Sequence, residues 1–188
     1  MNVTTCVSKV LIENCGIKLA DGDVAFRNTG FNYVSIKMSG VLGLFDNRTP
    51  EVIYLFDDLA RYESMTDYVL LHEMGHLLSC KAETEWHKQS KLMRANELAG
   101  VGVSIHDIFL LRKLSDREEA IADCFAQMNL GALGLSTDIP LPRSRMASYE
   151  QAWGSEAMAE LNNIAYGLTI LFNDLIEAGR KAKTWRIS

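Results

Sequence analysis

No cysteine framework can be read in this sequence. Its four cysteines, Cys6, Cys15, Cys80 and Cys124, form no C-x-x-C pair and share no ligand spacing, so a metal site built on thiolates is not expected. Long apolar runs are missing as well. No uncharged stretch approaches the ~20 residues of a membrane span, and "MNVTTCVSKV" has no basic segment leading into an apolar one, the mark of a secretory leader. The expectation is a cytoplasmic chain with reduced thiols and no membrane partner. Positive charge is not in surplus either. At a net charge of -5 the chain lacks the basic excess with which nucleic-acid surfaces neutralise phosphates, so no nucleic-acid partner is expected. The locally basic end "GRKAKTWR" reads as cations complementing the dipole of a helix C-terminus. No internal repeat or low-complexity segment stands out.

What is present is an ordinary globular composition, 48% apolar and 23% charged over 188 residues, enough for one domain with a real core. Val3, Cys6, Val7, Val10 and Leu11 share one helical face, and Gly16 follows as a C-cap. The period then changes. "DVAFRN", "NYVSIKM", "VLGLFD" and "EVIYLFDD" are short β-rich runs separated by turn residues, which reads as a small antiparallel meander. "RYESMTDYVLLHEMGHLLSCK" follows as a helix capped by Ser64 with Asp67 or by Thr66. Residues 82–99 read as a polar helical stretch closed by Gly100 and Gly102. "IHDIFLLRKL" and "SDREEAIADCFAQMNL" read as two successive helices. Beyond a loop with Pro140 and Pro142, residues 155–178 give a long helix striped by Met158, Leu161, Ala165, Leu168, Leu171, Phe172 and Leu175. Helix, small sheet and then helices make an α+β layout.

Chemistry concentrates in "LLHEMGHLL". Positions i and i+4 of a helix lie one above the other, so His72 and His76 can converge on one tetrahedral zinc. Glu73, one position on, is rotated by about a quarter turn. From there it can reach a zinc-bound water as general base without being a ligand, which is the physical content of H-E-x-x-H. Gly75 in the helix interior points to close packing at that level.

A catalytic zinc needs a third protein ligand. His87 fails the spacing of a further histidine ligand, because Ser79 and Ala82 stand where a metzincin-type site has glycine and histidine, and His106 in "SIHD" reads as a surface or capping residue. In "SDREEAIADCFA", Ser115 and Glu118 read as a capping box. Glu119 and Asp123 then lie four apart on one face, where two acids repel unless a cation is shared. Glu119 is the candidate third ligand. Asp123 is the candidate acceptor behind a ligand histidine. Two solvated acids on a surface helix are the bland alternative.

With these residues named, the chain resembles the gluzincin metallopeptidases, and among them the compact ImmA/IrrE-like group of cytosolic bacterial and phage-borne zinc peptidases. The likeness covers roughly residues 3–130: an N-terminal helix, a small sheet, "VIYLFDD" upstream of "LLHEMGHLL", then "EEAIADCFA". It implies His72, His76 and Glu119 as zinc ligands, Glu73 as base and Asp123 behind a ligand. It also implies a single metallopeptidase domain over 1–188, with a core over 1–135, a helical insertion at about 82–102 and a C-terminal helical extension over 140–188. "EVIYLFDD" would be the sheet edge on which an extended peptide substrate pairs. A protein substrate, in that group often a transcriptional repressor, is the implied partner. Tyr62, His87, His106 and Arg143 are unranked candidates to stabilise an oxyanion.

The expected activity is thus that of a zinc-dependent endopeptidase. Its rivals are a zinc-stabilised binding protein, which would have no need of Glu73, and a zinc hydrolase of a non-peptide amide.

Overall fold

The chain's computed structural model describes residues 4–27, 41–46, 48–82, 88, 92 and 105–185, with side chains at all of these except 63, 105–113, 140–144 and 184–185. Helix α1, Cys6–Cys15, is closed at both ends by its own sequence. The Ser8 N–H donates to Thr5 Oγ1 at 3.1 Å and the Thr5 N–H donates to Ser8 Oγ at 2.7 Å, a reciprocal cap. Gly16 ends the helix at φ 68, as its position in the sequence suggested. Val7 and Leu11 face the core, but Cys6 is exposed and Ser8 takes the inward position instead.

Strand β1 (Lys18–Asp21) follows. The next run, "DVAFRN", is not the strand that its β-forming residues suggested. Asp21 accepts the Val24 N–H at 2.9 Å and starts a short helix, α2, Gly22–Phe26, so a side-chain cap outweighs propensity over five residues. "NYVSIKM" lies outside the described residues. Strands β2 (Gly43–Phe45) and β3 (Val52–Leu55) complete a sheet of order β1-β3-β2. The sheet is mixed. β1 runs parallel to β3, with Leu19 opposite Ile53, and β2 runs antiparallel to it, with Leu44 opposite Tyr54. "VIYL" is therefore the central strand rather than the edge, as the burial of Ile53 and Leu55 requires. Among the described residues the edges are β1 and β2.

A 3₁₀ segment, Asp57–Met65, leads into helix α3, Thr66–Lys81. None of Ser64, Thr66 and Asp67 caps α3, which begins at Met65 without a side-chain cap. Asp67 Oδ1 instead accepts the Val7 N–H of α1 at 3.1 Å. Helix α4, Ile105–Ala132, is continuous where two helices were expected. Ser115 lies inside it, and a capping box there is ruled out. Most of the 82–102 stretch, His87 included, is outside the described residues.

Helix α5, Pro140–Trp185, breaks at Gly154. Its φ of 82 and ψ of 167 there lie in a region that only glycine enters readily. Pro140 and Pro142 sit in the first turn of the first segment, not in a loop, because the first amides of a helix have no intrahelical partner to lose. The second segment buries Met158, Leu161, Ala165, Leu168 and Phe172, the expected stripe, whereas Leu171 is exposed. These side chains join Val7, Leu11, Ile53, Leu70, Leu77, Ile121 and Phe125 in one core. No helix among the described residues is long and apolar enough to cross a membrane.

Candidate metal centre

Helix α3 faces two neighbours at once. Glu73 and Gly75 are two positions apart, about 200° around the helix, and they meet different elements. A Cβ on Gly75 would stand 3.0 Å from the Ala122 backbone and 3.2 Å from the Phe125 ring, so its bare Cα lets α4 approach closely just where α4 carries Glu119 and Asp123. On the other side, a Cβ on Gly43 would stand 3.0 Å from Glu73 Cγ and 3.2 Å from its Oε1. The Phe45 N–H of β2 donates to Glu73 Oε2 at 2.7 Å.

The face between these contacts carries His72 and His76. Their Nε2 atoms are 3.1 Å apart. Glu119 offers one carboxylate oxygen to each, Oε2 at 3.2 Å from His72 Nε2 and Oε1 at 3.3 Å from His76 Nε2. Donors at ~2.0–2.1 Å from a tetrahedral zinc stand roughly 3.3 Å apart, so this triangle has the size that such an ion needs. The chemistry fits too. Two imidazoles with one carboxylate form a donor set suited to zinc. These three residues can hold a metal ion. Accessibility rises from 9% for the His72 side chain through 21% for His76 to 41% for Glu119, so the centre opens on the Glu119 side.

The electrostatics call for a cation. Burial alone would lower the His72 imidazole, but the carboxylates of Asp123 and Glu119, with the Glu73 charge, outweigh it and raise it to about 10. Burial would likewise raise Glu119, yet the two imidazoles hold it well below the usual carboxylate range.

Behind His72, Asp123 is fully buried. Its Oδ1 lies 2.8 Å from His72 Nδ1, close in distance though off the hydrogen-bond line. The same oxygen accepts from the Tyr68 hydroxyl and, at 2.6 Å, from Arg145 Nη2. All five site residues named from the sequence thus lie in one place. Tyr68 and Arg145 were missed. Tyr68 carried a usable signal, one turn before His72 on the same helical face. Arg145 carried none. Of the oxyanion candidates, Tyr62 is half-exposed in the 3₁₀ segment, while His87 and the side chains of His106 and Arg143 lie outside what the structure describes. A second acidic group, Asp21, Asp23 and Asp57, also has ligand spacing. It serves the backbone instead: Asp21 caps α2 and Asp23 Oδ2 accepts the Asp57 N–H at 2.7 Å.

Comparison with protein-family models, with curated proteins and with solved structures finds no match to this chain.

Gly75→Ala tests the close approach. The added methyl meets backbone, which cannot rotate away, so a cost of about 1–3 kcal/mol in unfolding free energy is expected. Weaker zinc binding should accompany it as α4 is displaced. Wild-type values for both in denaturant titration and chelator competition would show that the contact is not tight.

Proposed function

We propose that the protein is a zinc-dependent endopeptidase. The observation that carries this reading is the 3.1–3.3 Å triangle of His72, His76 and Glu119 with a buried carboxylate, Glu73, one residue along the same helix. Zinc, when bound by the three residues, would supply a Lewis acid and water made acidic enough to lose its proton near neutral pH. The chain's own residues do the rest. Glu73 would take that proton and later hand it to the leaving amine. The Phe45 amide fixes one of its oxygens, so the base is held in one rotamer.

The same β2 strand lies at an edge of the sheet among the described residues, where an extended peptide can pair with its backbone. A peptide paired there would lie beside Glu73, which supports an endopeptidase over a hydrolase of small amides. A specific intracellular regulatory protein, such as a transcriptional repressor, is the proposed substrate, on the strength of the resemblance of "LLHEMGHLL" and "EEAIADCFA" to the ImmA/IrrE-like peptidases.

Metal content is the first test. Purified protein should carry about one zinc per chain, removable by chelator. Zinc at one hundred times its Kd should add ~2.7 kcal/mol. At ~2–4 °C per kcal/mol for a chain of this length, the metal-free protein should melt roughly 5–11 °C lower. A melting temperature indifferent to zinc would refute the metal centre.

A further inference from the structure

The first segment of α5 touches the candidate metal centre through one side chain. Arg145 Nη2 is 2.6 Å from Asp123 Oδ1 and 2.6 Å from the Tyr68 hydroxyl, and the Tyr68 hydroxyl itself donates to the same Asp123 oxygen. Two donors therefore converge on Oδ1, Tyr68 from α3 and Arg145 from α5, and His72 Nδ1 lies 2.8 Å from the same oxygen. The other oxygen, Oδ2, is buried and has no hydrogen bond among the described residues. We propose that Arg145, with Tyr68, is a positioning clamp that sets the rotation of Asp123 and through it the aim of His72, making α5 a working part of the metal centre. This rests on the reading that His72, His76 and Glu119 hold zinc.

The terminal torsion of an aspartate is broad and roughly two-fold, so its own rotamer preference does not decide which oxygen faces which neighbour. With no hydrogen bond to Oδ2 among the described residues, the donors at Oδ1 decide it. Of those, only Arg145 brings a permanent charge, and it cannot lose it. The His72 ring has the same freedom about its last torsion, and Asp123 Oδ1 is the oxygen beside its Nδ1. An imidazole that turns on this axis moves its Nε2 out of the triangle with His76 and Glu119. Tyr68 lies one turn before His72, with ring centroids 5.8 Å apart and ring planes tilted by 37°, which closes the clamp from the side. Partners behind a ligand histidine are known to tune metal affinity by about 10–100-fold when removed. Arg145 carries that influence one residue further, to a helix that bears none of the three candidate ligands.

Zinc competition against a chromophoric chelator tests this on the full-length chain. Arg145→Met should weaken zinc binding by about 10–100-fold, and Arg145→Lys, which keeps the charge, should recover most of the loss. Asp123→Asn should weaken binding as well. Because Arg145 acts through Asp123, the double variant Asp123→Asn/Arg145→Met should bind no more weakly than Asp123→Asn alone. Wild-type affinity in Arg145→Met, or losses that add in the double variant, would overturn the clamp while leaving the metal centre standing. A wild-type protein that takes up no zinc overturns the metal centre and the clamp with it. Should Arg145→Met fail to fold, hydrogen exchange of the wild type decides. Coupling is reciprocal, so zinc should slow exchange at amides 145–153 more than at amides 170–180. Equal protection of both segments sinks the proposal.

Discussion

Glu73→Gln should retain zinc and lose turnover. The substitution keeps the length of the side chain and an oxygen that can accept the Phe45 N–H now given to Glu73 Oε2 at 2.7 Å. Glu73 is not one of the three residues in the ligand triangle, so the variant should fold and hold metal nearly as wild type does. What it loses is a group able to take a proton. The expected fall is at least the ~10²–10⁴-fold that accompanies removal of a general base. Cleavage of a candidate regulator inside cells is the assay, since a generic peptide lacks the extended contacts on which β2 would act. A Glu73→Gln variant with full biological activity, beside histidine variants with none, would make the zinc structural and the protein a binding module.

The second large effect is expected at Glu119. Glu119→Ala leaves two Nε2 atoms 3.1 Å apart with no anionic partner. Its zinc affinity should drop well beyond the ~10–100-fold typical of losing a group behind a ligand. His72→Ala/His76→Ala should abolish specific binding. Glu118→Ala is the control. It removes a carboxylate of the same kind from the neighbouring position, rotated by ~100° on α4, and Glu118 takes no part in the triangle. Chelator competition separates the two, and equal losses in Glu118→Ala and Glu119→Ala would refute the assignment.

The candidate site was legible wherever a helical period sufficed. His72, Glu73 and His76 lie within one helical turn and a fraction. Glu119 and Asp123 repeat the same four-residue spacing, and fixed geometry converts such spacings into shared faces. The stripe from Met158 to Phe172 and the cap at Gly16 were readable for the same local reason. Gly75 signalled close packing, and Ala122 is what packs there. Local reading erred where a short-range rule had a rival. The serine and glutamate at 115 and 118 fit a capping box, yet α4 runs through them. "DVAFRN" favours a strand, yet the Asp21 cap makes it a helix.

Spacing along the chain settled which residues share a helix face. Which faces meet was settled only by packing. Nothing in "EVIYLFDD" says that β1 pairs with one side of it in parallel and β2 with the other in antiparallel, because strand order depends on long-range contacts and not on the period of any one strand. The same holds for Arg145. It lies 22 positions from Asp123 and 77 from Tyr68, in a stretch whose sequence resembles any exposed basic turn. It becomes the counter-charge of a buried carboxylate only once α5 folds back along α4, since burial creates the need for that charge and burial is a property of the whole chain.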